Sequence, residues 1–174
     1  MNWGTLLLGF EGPAKYLPLL TSHDVESFAT EQVETPVASD QAVAVLVAAN
    51  DGRDETRAVL RTLVDHEKCS ADHELRKWRV VLLKHALTRL PSDPLHGLVA
   101  LTEFWERFDF PLDSPHIVQG RGNTASPPDY YKEQNYRALV TKHLEWIDVE
   151  TSALREPPGW IESLIEAPVP GEDP

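Results

Sequence analysis

The chain has 174 residues, 41% apolar and 25% charged, enough for one ordinary domain with a buried core and too few for two comfortable ones; this composition excludes a wholly disordered polypeptide. A formal net charge of −12 disfavours direct binding to phosphate backbones and to anionic lipid. The single cysteine, Cys69, excludes an internal disulfide and a four-cysteine zinc cluster, and fits a reducing compartment.

The opening MNWGTLLLGFEGPAKY carries a short apolar run with no basic flank and no small-residue cleavage site. The run falls well short of the roughly 20 residues that span a bilayer. It is expected to be a buried segment of a cytoplasmic protein, and Trp3 to Phe10 reads as a short strand or apolar lead-in because Gly4, Gly9 and Gly12 argue against a stable helix. Ser22 reads as a helix N-cap, with Val25, Phe28, Ala29 and Val33 on one face and Pro36 as the stop. Ser39 and Asp40 cap the next run, QAVAVLVAAN, which is apolar all round. Val43, Val45 and Val47 also alternate as in a strand, but the length and the alanines favour a helix, and the most buried one.

Asn50-Asp51-Gly52 is a turn signature. Thr56, Val59, Leu60, Leu63 and Val64 then recur with the helical period until Glu67 to Ala71 breaks the pattern. Asp72 caps a helix with Leu75, Trp78, Leu82, Ala86 and Leu90 toward the core, and Arg76, Lys77, Arg79, Lys84 and Arg89 around its polar sides. After Pro91, Ser92 or Asp93 caps a helix with Pro94 in its first turn, where proline is well tolerated. Leu95, Leu98, Leu101, Thr102, Trp105 and Phe108 face inward from it. Ser126-Pro127-Pro128-Asp129 starts a last long helix lined by Tyr136, Leu139, Val140, His143, Trp146 and Ile147. The expected fold is therefore all-α, with six or seven helices in stacked hairpins over residues 1–155. An acidic, proline-rich tail over 156–174 adds one short docking helix, Trp160 to Ile165.

The densest set of binding-competent groups lies in the loop between the last two long helices: Ser114, His116, Gln119, Arg121 and Asn123, followed by Tyr130 and Tyr131. Loops of this length in a compact domain are uncommon and often functional. Gly120-Arg121-Gly122-Asn123 offers backbone N–H groups and a guanidinium to an anion, although its plainer reading is a flexible turn. Adjacent Tyr130 and Tyr131 cannot point the same way, so one should face the loop or solvent. His143, on an otherwise apolar helical face, reads as a satisfied core histidine. Elsewhere, Asp65-His66-Glu67 and Asp72-His73-Glu74 bracket Cys69 with metal-compatible groups. No recognised ligand spacing is present, and the plainer reading is a polar helix corner. No metal, cofactor or catalytic residue is assigned.

The string FPLDSPHIVQG, followed by SPPDYYKEQNYRALVTKHLEWI, resembles an uncharacterised bacterial helical domain family whose members show F-P-x-D-S-P-H and then a Y-Y…N-Y…L…H…W-I helix. Trp3 and LTSHDVESFA extend the likeness over residues 1–150. Small acidic proteins of this type resemble the immunity proteins encoded beside secreted bacterial toxins. The resemblance implies a non-enzymatic, cytoplasmic protein that neutralises a cognate and basic toxin domain by binding it. Charge is segregated in a way that suits a basic partner, with solubility alone as the equal alternative: residues 1–52 hold seven acids and one base, residues 53–146 fourteen of each, and residues 147–174 seven acids and one base. The expected contact residues are Ser114, His116, Gln119, Arg121, Tyr130 and Tyr131. The alternative is a small hydrolase or ligand-binding enzyme using His116, Arg121 and His143; a structural subunit of a larger assembly is a third reading.

Overall fold

In the computed structural model, which describes residues 1–34, 39–68, 70–121 and 125–154, every regular element is an α-helix. Among the described residues there are eight: α1 (Trp3–Glu11), α2 (Ser22–Val33), α3 (Ser39–Asp51), α4 (Arg53–Glu67), α5 (Ala71–Thr88), α6 (Pro94–Arg107), α7 (Pro127–Tyr130) and α8 (Glu133–Leu154). The all-α expectation is met. There are more helices than six or seven because the opening segment is helical and the expected last helix is broken in two. Pro36, Cys69, Gly122, Asn123 and the Trp160–Ile165 segment lie outside the described residues.

The chain forms two compact units, Met1–Trp78 and a second beginning at Arg79. In the first, α2 packs on α3, α3 on α4, and α4 on α1. The helicity of α1 corrects the strand or lead-in reading. Asn2 Oδ1 accepts the Thr5 N–H at 2.8 Å and caps it, and Trp3, Leu6 and Phe10 are buried. Burying each such side chain contributes about 1.5–3 kcal/mol, which outweighs the roughly 1 kcal/mol that a helical glycine costs relative to alanine. Gly9 serves close packing: a Cβ there would lie 2.2 Å from Trp78 Cζ2. Gly12 ends the helix at φ +101°, a conformation that favours glycine.

The cap of α2 is Thr21, one residue before the expected Ser22, in a reciprocal box with Asp24. The run at 40–50 is a helix, as favoured, but not the most buried one. Only Ala42, Val45, Ala48 and Ala49 of α3 face inward, while Val43 and Val47 are 48% and 59% exposed. The expected turn after it shrinks to Gly52, which is the N-cap of α4. Ser70, not Asp72, precedes α5, its Oγ accepting the His73 N–H at 3.4 Å.

The polar sides expected of α5 are overturned at two positions. Lys77 and Arg79 are buried because each cation meets an acid: Lys77 meets the buried Glu74 from one turn away, and Arg79 meets Asp113 from the loop after α6. In the second unit α6 and α7 pack against α8. Asp93 caps α6 with Pro94 at its start, and Leu98, Leu101, Trp105 and Phe108 turn inward as expected, whereas Leu95 is 45% exposed. Ser126 caps α7, and Tyr130, Tyr136, Leu98 and Leu139 form its core cluster with α6 and α8. Among the described residues no helix is long and apolar enough to cross a membrane.

Candidate functional site

The central loop starts where α6 is stopped by a Schellman arrangement. The Phe110 N–H returns to Trp105 O and the Asp109 N–H to Glu106 O, with Asp109 and Phe110 both at positive φ. The chain then turns, Ser114 N–H donating to Pro111 O. Three anchors hold the segment down. Arg79 Nη1 reaches both oxygens of Asp113 at 3.0 and 2.9 Å, with its guanidinium 5.8 Å from the centre of the Phe108 ring. His116 meets Thr102 of α6, Nε2 to Oγ1, at 2.9 Å. Tyr130 of α7 donates its hydroxyl to Ile117 O at 2.6 Å.

The partners fix both imidazoles. Thr102 Oγ1 donates to Leu98 O at 2.8 Å, so toward His116 it is the acceptor and His116 carries its proton on Nε2. The other nitrogen, Nδ1, is buried and has no hydrogen-bond partner among the described residues. His143, fully buried, donates from Nδ1 to Leu139 O at 2.6 Å and accepts at Nε2 from the Trp105 indole N–H at 2.8 Å. The two rings lie 5.6 Å apart. Burial, and then the charge His143 would carry, push His116 down to about 4. Burial also holds His143 below the usual histidine range, against the opposing pull of its bond to Leu139. Both imidazoles are therefore neutral at pH 7, and neither bonds a carboxylate that would raise its basicity.

The expected contact residues thus divide into two groups. His116 and Tyr130 are buried beneath the loop, Tyr130 raised in pKa by burial and then by Tyr131. Ser114, Gln119 and Tyr131 are half-buried and Arg121 is exposed. Ser114 Oγ accepts the His116 N–H at 3.2 Å, and the Tyr131 ring stands edge-on to Tyr130 at 4.9 Å. The Arg121 guanidinium lies 5.3 Å from the centre of the Phe110 ring. Of the enzyme set, His116 and His143 are neighbours, but His143 has spent both nitrogens on packing partners.

A second polar cluster, in the first unit, escaped sequence reasoning. Glu74, 4% exposed, pairs with Lys77 Nζ at 3.2 Å and accepts from Asn2 Nδ2 at 3.0 Å and from the Thr5 hydroxyl. Burial pushes its carboxyl up, but the bonds from Thr5 and Asn2 and the charge of Lys77 outweigh that and hold it below the ordinary value. Glu74 also borders a cavity of about 180 Å³ whose walls are chiefly Gly4, Leu7, Leu8, Val64 and Ala71. Glu11, at its edge, is engaged by Arg57 and Arg61. The one signal that pointed here was an acid and a base three apart on the flank of Trp78. Glu74 is thereby turned away from the Asp72-His73-Glu74 grouping, and Asp65, His66 and Glu67 lie exposed at the end of α4. Among the described residues no three His, Cys, Asp or Glu side chains gather as a metal-binding set.

No curated protein and no solved structure matches the chain. A family model does match, over residues 1–151, which takes in both polar clusters and the whole central loop. The chain belongs to the uncharacterised protein family conserved in bacteria designated DUF2247.

Proposed function

We propose that this protein is a non-enzymatic binding protein of the bacterial cytoplasm, and specifically an immunity protein that neutralises a cognate, basic toxin domain. The observation that carries the reading is the charge distribution. No lysine or arginine occurs between Lys15 and Arg53, a stretch with six acids that includes α2 and α3. A surface of one sign steers an oppositely charged partner and repels phosphate backbones. The loop would add contacts through Ser114, Gln119, Arg121 and Tyr131, supported from beneath by His116 and Tyr130.

The test is co-expression with the protein encoded immediately upstream. A stoichiometric complex with a basic C-terminal domain, together with relief of that domain's toxicity, is the expected result. A monomer that binds no neighbour-encoded protein and protects no cell would overturn the reading. The hydrolase alternative at His116, Arg121 and His143 has one observation in its favour, an Nδ1 of His116 with no hydrogen-bond partner among the described residues. A base with a pKa of about 4 is a weak proton acceptor at neutral pH, which weighs against it.

A further inference from the structure

We infer that the outward face of α3 is the docking surface for a lysine- or arginine-rich amphipathic helix of a protein partner. This names the contact for the binding-protein reading above and rests on it. Successive helical residues are 100° apart, so Asp40, Val43, Ala44, Val47 and Asp51 fall within one arc of roughly 100°, opposite the buried Ala42, Val45 and Ala49. All five are exposed, Val43 by 48% and Val47 by 59%. Isolated surface valines need no explanation, but here two stand one turn apart, with Ala44 beside them and a carboxylate at each end. Valine gains nothing at an exposed helical site: it forms helix less readily than alanine, lysine or glutamate by about 0.5 kcal/mol. A patch that serves neither the helix nor the core is suited to a partner.

Charge decides the occupant. Glu31 and Glu34 are exposed at the end of the adjacent α2, and the sequence from Tyr16 to Gly52 carries no lysine or arginine; on α4, the other helix packed against α3, Arg57 and Arg61 are engaged by Glu11. A second copy of this chain docking by two-fold symmetry would set Asp40 and Asp51 against the same residues, like against like. Anionic membrane and nucleic acid are repelled for the same reason. A basic helix with two apolar side chains one turn apart fits: its apolar pair meets Val43 and Val47, and its flanking cations meet Asp40 and Asp51. Those carboxylates sit on α carbons separated by about 16 Å along the axis, three turns of such a partner.

The probe is a synthetic amphipathic leucine–lysine helix, titrated into the isotope-labelled full-length protein while backbone amide shifts are followed. The expected result is a set of shifts centred on residues 40–51, with binding weakened about tenfold by Val43→Ser together with Val47→Ser. Asp40→Asn with Asp51→Asn should weaken it several-fold and flatten its salt dependence. All four positions are exposed, so the variants should fold, which circular dichroism checks. Shifts centred on 109–121, unchanged affinity in the valine variant, or equal binding of a leucine–glutamate helix would overturn the assignment. So would a concentration-dependent dimer that the valine substitutions abolish. If the valine variant protects cells from the toxin as well as wild type, the surface fails and the immunity reading stands. If the probe maps to α3 but no neighbour-encoded protein binds, the reading fails and the surface stands.

Discussion

Below pH 6.5 the buried His116 should cost the protein stability. In the unfolded chain this imidazole takes a proton near its ordinary 6.5, whereas in the fold it resists protonation down to about 4. The sign follows from linkage: between those values the unfolded state binds more protons, so acid favours unfolding. At pH 8 both states are neutral and the side chain contributes nothing to the pH slope. At pH 5 the cost is about 2 kcal/mol, and it levels off at about 3 kcal/mol below pH 4. The physical cause is burial of the ring, whose Nδ1 would become a donor with no acceptor among the described residues, and a second imidazole whose ring centre lies 5.6 Å away. The perturbation is His116→Gln, whose amide nitrogen sits where Nε2 sits and keeps the donor to Thr102 while removing the titration. Urea unfolding of both proteins at pH 8 and pH 5, followed by circular dichroism, gives a double difference in which the titrating groups that do not feel His116 cancel, leaving His116 and its coupling to His143. Wild type should lose about 2 kcal/mol more than the variant. Equal losses, or a His116 ring that titrates by NMR near 6, would refute the reasoning.

Three further outcomes are expected. Glu74→Gln removes the carboxylate 3.2 Å from the buried Lys77 Nζ, together with the charge that strengthens the bonds from Asn2 and Thr5, and should cost about 1–3 kcal/mol by chemical denaturation; a neutral effect would contradict the cluster described. Gly9→Ala drives a methyl to 2.2 Å from Trp78 Cζ2 and 2.8 Å from Leu20 Cδ1, so α1 must shift; a loss of about 1–3 kcal/mol is expected, and a neutral effect on thermal unfolding would contradict the packing described. Tyr130→Phe removes the hydroxyl that holds Ile117 O, at about 1 kcal/mol, and amide exchange should quicken in 116–119 without a matching change in α1 to α4.

Much of the helical layout was legible because its signals are local. Asp93-Pro94 and Ser126-Pro127 marked helix starts, and Thr56, Leu60 and Leu63 showed the buried stripe of α4. The failures share a cause: a partner distant in sequence. The glycines of α1 looked like breakers because nothing local announces that Trp78 will press on Gly9. Lys77 and Arg79 looked solvent-facing because Asn2 and Thr5, which complete the Glu74 cluster, and Asp113, which pairs with Arg79, lie far along the chain. In α3 the pattern was apolar all round, and periodicity cannot say which side of such a helix its neighbours will cover. His143 could be read as a core histidine from its face, but not as the acceptor of the Trp105 indole.

The central loop shows why a dense run of polar residues is a poor guide to chemistry. The reactive-looking groups of the loop and of the two helices after it are largely spent on structure: His143 on Leu139 and Trp105, Tyr130 on Ile117, Asp113 on Arg79. A loop fastened at several points to α5, α6 and α7 has little conformational freedom left to lose on binding, and fewer ordered side chains means a smaller entropic cost of association. Under the proposed reading, that rigidity serves binding. The Tyr130→Phe and His116→Gln variants separate the two functions. Under the proposed reading both weaken partner binding only as far as they loosen the loop, so the loss in affinity should track the gain in amide exchange at 116–119. A variant that abolished activity on any substrate while leaving that exchange unchanged would return His116 to a chemical role.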